Sequence, residues 1–247
     1  MELRLRKGCG AELVCIDRKQ FLKDSVTADD LNFCLNAASK YSPWAASTVS
    51  QGFVTAPGGH RIGICGEAVV KEGRLAGFRS ISSVCIRVAR DFPGISRQIR
   101  FPGRAILILG PPGWGKTTLL RDLATRLSEQ EQVAVVDSRC ELFPLGLTDG
   151  CRLDVLYGLT KREGVEVLLK TMGPECIVVD EITSEQDCQA ILQAANCGVR
   201  LAATAHAFDL ADYRRRPVYR PLLENQVFDS FVILHRDKSF HQEEAFP

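Results

Sequence analysis

The chain has 247 residues, 45% of them hydrophobic and 25% charged, with a formal net charge of +1. That is the composition of an ordinary soluble globular protein, long enough to bury a core in one large or two modest domains. No apolar run approaches the roughly 18 residues of a membrane-spanning helix, which excludes a helical integral membrane protein.

Leu3–Arg6 alternates apolar and basic residues and predicts a strand, with Glu12–Ile16 as its partner. Thr27 caps a predicted amphipathic helix whose apolar face carries Leu31, Cys34, Leu35 and Ala38. A meander of strands follows at Phe53–Ala56, Arg61–Val70, Arg74–Arg79 and Val84–Ala89, with turns at Pro57–Gly59 and Lys71–Gly73. Together these predict a small α+β domain over residues 1–95. Turn residues and arginines from Phe92 to Arg104 mark a break, with 96–104 as a linker. Beyond it strands and helices alternate. Strands are predicted at 105–109, 133–137, 176–180, 200–205 and 229–235, and helices at 116–128, 162–172 and 185–197. Strands apolar on both faces, with helices between them, predict an α/β domain over 105–240 built on a mainly parallel sheet. Residues 241–247 are expected to form a disordered tail.

The most informative stretch is Gly110-Pro111-Pro112-Gly113-Trp114-Gly115-Lys116-Thr117-Thr118, which fits the phosphate-cradling pattern G-x-x-x-x-G-K-[ST]. Its context is the one the chemistry needs. The apolar run Ala105–Leu109 enters the loop, and the helix-forming segment Leu119–Leu127 leaves it. Backbone N–H groups of the loop and the helix N-terminus would hold phosphate oxygens, Lys116 supplies a point charge, and Thr117 offers a hydroxyl to Mg²⁺. The expected ligands are therefore nucleotide phosphates and Mg²⁺.

Cys176–Val179 then delivers two adjacent carboxylates, Asp180 and Glu181, at the end of a buried strand. Ligands of α/β sheets gather at strand carboxyl ends. Asp180 is the expected metal-shell acid, and Glu181 the group that orients or deprotonates water, which favours hydrolysis over transfer to a substrate hydroxyl. The next strand, Leu201–Ala205, ends in His206, a candidate sensor of the γ-phosphate or else a histidine satisfied within its loop. A third acidic group, Asp137 and Glu141, follows the strand Val133–Val136. It either helps organise metal-bound water or forms a surface salt-bridge cluster with Arg139.

The near-neutral total charge hides an asymmetry. Residues 1–104 carry 16 Lys and Arg against nine acids, and residues 105–247 carry 15 against 21. The front part either faces an anionic neighbour or is a solvated basic face. The ten cysteines include no Cys-x-x-Cys pair, and Met1–Arg6 has no signal-peptide apolar core. Reduced, small, buried cysteines in a cytoplasmic protein are expected, with a structural zinc site as the alternative.

With these pieces placed, the chain resembles the stage III sporulation protein AA family, relatives of the secretion ATPases. The resemblance rests on Glu2–Arg6, Pro57–Gly66, Ile81–Arg90, Gly110–Leu123, Val178–Ile182 and Thr204–His206. It implies a RecA-like P-loop NTPase domain behind a small N-terminal domain, with ATP as the nucleotide, and a hexameric ring working beside a sporulation channel at the membrane. It also implies that arginines of the N-terminal part reach nucleotide across the subunit interface, with Arg61, Arg79, Arg87 and Arg90 as candidates. The chain departs from the family in four places, one of them the loop from Leu142 to Leu153, which is shortened. Ser138 and Cys140 replace a glutamate and a serine, Trp114 is unusually large for its position, and the helical region expected before Glu2–Arg6 is missing.

Three functions remain open at this point: a ring-forming ATPase that powers or gates export, a RecA-like nucleic-acid motor, and a nucleotide-dependent scaffold with little turnover. The basic front half and Arg214–Arg216 favour the motor. The lack of exposed aromatics there and of a nucleic-acid module disfavours nucleic acid as a partner.

Overall fold

In a computed structural model, residues 1–15, 18–39, 49–50, 52–56, 60–88, 92–143 and 152–245 are described. The chain divides into two compact units, the first built on Met1–Arg90 and the second on Asp91–Phe143 and Thr148–Pro247.

Among the described residues the first unit is a six-stranded antiparallel sheet with one helix. Its strands are β1 (Glu2–Arg6), β2 (Gly10–Val14), β3 (Lys19–Ser25), β4 (Phe53–Ala56), β5 (His60–Lys71) and β6 (Arg74–Arg87), in the order β3-β2-β1-β6-β5-β4. Helix α1 (Ala28–Ser39) starts where Thr27 and Asp30 cap each other, the Asp30 carboxylate accepting from Thr27 N and Oγ1 and the Thr27 hydroxyl from Asp30 N. Leu31 and Ala38 of α1 join Leu5, Val54, Ile62, Ile64 and Val84 in the core. The two strands expected at 74–79 and 84–89 are one strand, β6, whose pairing with β5 absorbs three register shifts. Ser80, Ser82 and Ser83 read as an interruption, but bulges carry the ladder through them. The predicted turn at Pro57–Gly59 lies outside the described residues.

The second unit is a seven-stranded sheet of β7 (Ala105–Leu109), β8 (Val133–Asp137), β9 (Leu153–Tyr157), β10 (Cys176–Ile182), β11 (Arg200–Ala205), β12 (Ser230–Leu234) and β13 (Phe240–Glu244), in the order β13-β12-β7-β11-β10-β8-β9. All neighbours are parallel except the β12–β13 pair. Helices α2 (Lys116–Leu127), α3 (Lys161–Thr171), α4 (Glu185–Asn196), α5 (Leu210–Arg215) and α6 (Arg220–Glu224) complete it. Residues 105, 107 and 109 of β7 face the core built with α3 and α4, while Ile106 and Ile108 alternate to the other face, also buried. Every residue of β7, β8 and β12 is buried, as a sheet covered on both faces requires.

Two sequence expectations are corrected here. Residues 96–104 are not a free linker, because Ser96 and Ile99 are buried and Asp122 of α2 accepts backbone N–H bonds from Gly94 and Ser96, both at 2.7 Å. Nor is 241–247 a disordered tail as a whole. Residues 240–244 form β13, paired with β12 over five positions, and Gln242 exchanges side-chain bonds with the backbone of Arg100. The segment Phe-His-Gln-Glu-Glu reads as a tail because an edge strand needs no apolar face when its backbone supplies the ladder.

The nine described cysteines are free thiols. Cys176 and Cys188 are buried and burial pushes their thiols up to about 12 and about 11, whereas Cys34 is half-buried and Cys197, expected in an apolar environment, is exposed at the end of α4.

Candidate functional site

The P-loop segment spans from the carboxyl end of β7 to the first turn of α2. Gly115 holds the N-cap at φ +103°, a conformation that side-chain-bearing residues rarely adopt, and thereby turns the loop into the helix without a capping side chain. The uncapped N-terminus is a ready anion site. Lys116 is 6% exposed; its ammonium donates to the Pro111 carbonyl at 3.1 Å and lies 3.0 Å from Nδ1 of His206. Burial pushes its pKa down, with Asp180 and Glu181 acting in opposition.

The end of β10 is irregular. Its register with β11 shifts between Val179 and Ile182, and Glu181 sits at φ +57°, unusual for a residue with a side chain. Such a bulge re-aims the side chains around it. The buried hydroxyl of Thr204 on β11 secures it, accepting from Glu181 N at 2.7 Å and donating to Asp180 Oδ1 at 2.5 Å. Thr117 Oγ1 donates to the other Asp180 oxygen at 2.8 Å. In the sequence Thr204 counts only toward the family resemblance and has no role assigned; its one local signal is a hydroxyl among the apolar residues of Leu201–Ala205, one position from the tip.

Glu181 is held from two sides, by His206 Nε2 at 2.5 Å from Oε1 and by Arg139 Nη1 at 2.8 Å from Oε2. Burial works to raise its pKa, but the bond from His206 and the charges of Arg139, His206 and Lys116 outweigh it and hold the carboxyl below its ordinary value. The backbone N–H of His206 donates to the Tyr219 hydroxyl at 3.2 Å, tying the strand tip to the segment before α6. Pro112, Gly113, Gly115, Lys116, Thr117 and Thr118 share with Glu141, Asp180, Glu181 and His206 the lining of one cleft of about 350 Å³. Trp114 packs edge-on against Phe208, ring centres 6.3 Å apart.

Asp137 departs from expectation. Its carboxylate accepts the backbone N–H groups of Glu141, Leu142 and Phe143 at 2.8–3.0 Å, and it is buried. Burial raises its pKa against those three bonds. It shapes the loop after β8, while Arg139 turns to Glu181 rather than to the acids beside it. The arginine candidates of the first unit are engaged within that unit. Arg61 stacks on Phe53, Arg79 pairs with Glu67 and Arg87 with Glu2; Arg90 lies outside the described residues.

A magnesium ion fits the donor set. Among the described residues no cluster of three or more His, Cys, Asp and Glu side chains could hold a metal ion. The hydroxyl of Thr117 and the carboxylate of Asp180, already within 2.8 Å, are the hard oxygen donors that Mg²⁺ takes when phosphates fill the rest of its shell.

The family model for "Sporulation stage III, protein AA" matches residues 1–243. The chain belongs to this family. It is 34% identical over 254 residues to the stage III sporulation protein AA of Bacillus subtilis (strain 168), covering 96% of this chain and 83% of that protein. Among solved structures, the Legionella pneumophila ATPase DotB is similar with a TM-score of 0.61 at 17% identity, over 98% of this chain and 74% of DotB. The pilus retraction motor PilT, solved with bound ADP, is similar with a TM-score of 0.65 at 15% identity, over 94% of this chain and 73% of PilT. At such identities the likeness concerns the fold, a RecA-like α/β domain behind an N-terminal α+β unit.

Proposed function

We propose that this cleft binds MgATP and hydrolyses the bond between its β- and γ-phosphates, in a ring-forming, hexameric ATPase that powers or gates a sporulation-associated export or channel complex. The reading is carried by the convergence of Lys116, Thr117, Asp180, Glu181 and His206 on one cleft at the N-terminus of α2. It is supported by the family membership and by the ATPase named among the similar structures.

In this account the loop N–H groups and Lys116 bind the phosphates, Lys116 leaving His206 as it does so. Thr117 and Asp180 would hold a magnesium ion, which would supply positive charge beside the phosphates. Glu181 orients the attacking water and takes its proton. Its lowered pKa makes it a weaker base, so alignment of the water outweighs proton abstraction as its contribution. His206 touches both Lys116 and Glu181 and so senses the γ-phosphate when Lys116 moves to it.

A second reading, a nucleotide-dependent scaffold with little turnover, is favoured by the engagement of both Glu181 oxygens. In that case turnover is negligible and Glu181→Gln changes nothing. The ring reading further takes the basic residues 1–104 as the source of an arginine acting on a neighbour's nucleotide. No helix among the described residues is long and apolar enough to cross a membrane, and we assign the protein a cytoplasmic position peripheral to its membrane partners.

The test is nucleotide binding and light scattering together. The wild type binds MgATP and shifts to a larger oligomer, and Lys116→Ala abolishes both. A wild type that stays monomeric at all concentrations with and without MgATP removes the ring.

A further inference from the structure

We infer that Lys238, at the tip of the β12–β13 hairpin, is a positioning residue for the P-loop and sets nucleotide affinity from outside the cleft. The inference rests on the MgATP reading above.

Three observations meet at this hairpin. Strand β12 pairs with β7 up to Ile233 and Leu109, so the hairpin leaves the sheet immediately beside the loop. At its root, Leu234 lies against Gly110 so closely that a Cβ on that glycine would stand 3.2 Å from the leucine Cβ. At its tip, the Lys238 ammonium donates to the Gly113 carbonyl at 2.6 Å, across 125 residues of sequence. The hairpin thus grips the loop at its first and fourth residues.

The backbone at Lys238 makes the contact more than incidental. Lys238 N bonds to the His235 carbonyl and His235 N to the Ser239 carbonyl, which closes the turn with Lys238 at φ +74°. Hairpin turns place glycine or asparagine in this left-handed position because a Cβ there is strained. The backbone bonds of the turn hold Lys238 in this conformation, and from it the side chain reaches the loop. Among the described residues the Lys238 side chain makes one hydrogen bond, the one to the P-loop carbonyl. The hairpin is also stiffened for the task, with the His235 and His241 rings stacked 4.9 Å apart and bonded at 2.8 Å.

Gly113 has no Cβ and sits at φ +75°, so its backbone is free to take conformations closed to other residues. Fixing its carbonyl lowers the ordering cost of closing the loop on phosphate. The effect falls on binding and not on the Glu181 step, so MgADP and MgATP weaken together.

The experiment compares wild type, Lys238→Gly, Lys238→Arg and Lys116→Ala by calorimetric titration with MgADP and MgATP, alongside thermal melting. Lys238→Gly relieves the turn strain, so its Tm is equal to or above that of the wild type, yet both nucleotides bind about three- to tenfold more weakly. Lys238→Arg retains most of the affinity. A Lys238→Gly protein that melts no lower and binds both nucleotides as tightly as the wild type overturns the inference while leaving the MgATP reading intact. A wild type that binds neither nucleotide overturns both.

Discussion

Lys116 and Glu181 are bridged by a single imidazole. His206 places Nδ1 3.0 Å from the lysine ammonium and Nε2 2.5 Å from the glutamate carboxylate, joining the phosphate-binding cation to the group proposed to position water. Nothing in either neighbouring sequence segment requires this; the parallel pairing of β10 with β11, and of β11 with β7, brings the three strand ends into one row.

Removing the bridge therefore separates binding from turnover. His206→Ala is expected to lower kcat by about 10- to 100-fold while MgATP affinity changes by less than about threefold. Steady-state kinetics and equilibrium titration check the two halves. An unchanged kcat makes the bridge incidental.

The bulge at Asp180–Glu181 hangs on one hydroxyl. Thr204→Val keeps the shape of the side chain but leaves Glu181 N and one Asp180 oxygen without their partner, at a cost of about 1–3 kcal/mol. Urea denaturation measures it. Thr204→Ser restores the bonds and most of the stability, which a purely steric role for the methyl group would not allow.

Asp187 gives the fold an acid-sensitive component away from the cleft. Burial raises its pKa, but the Thr183 N–H and hydroxyl and the Lys161 ammonium together hold the carboxyl below its ordinary value. It also closes the capping box of α4 with Ser184. A depressed folded pKa means stability that is fully present above the unfolded value and is lost as pH falls through it toward the folded one. Asp187→Ala should thus cost about 2 kcal/mol at neutral pH. The difference from wild type should shrink as pH falls below about 4. A difference independent of pH contradicts this assignment.

Much of the second unit was legible because its signals are local. The P-loop spacing, the strands at 105–109 and 133–137 and the acid pair at 180–181 are written in consecutive residues, and buried parallel strands are uniformly apolar. Other features depend on partners far away in sequence. Arg139 stands two residues from Asp137 and two from Glu141, yet pairs with Glu181, because Asp137 is taken up by three backbone N–H groups. Strand β3 escaped notice because all seven of its residues are exposed, so no alternation marks it. The loop-to-hairpin bond from Lys238 to Gly113 has no sequence signal at all apart from a lysine where a turn favours glycine.

Glu181 is the residue on which the proposed hydrolysis depends. The direct measurement is MgATP turnover by the wild type and by Glu181→Gln at saturating nucleotide, with MgATP binding followed in parallel. The account predicts that the variant binds MgATP about as well as the wild type and loses turnover by about 100-fold or more. Equal turnover in the two proteins would contradict it.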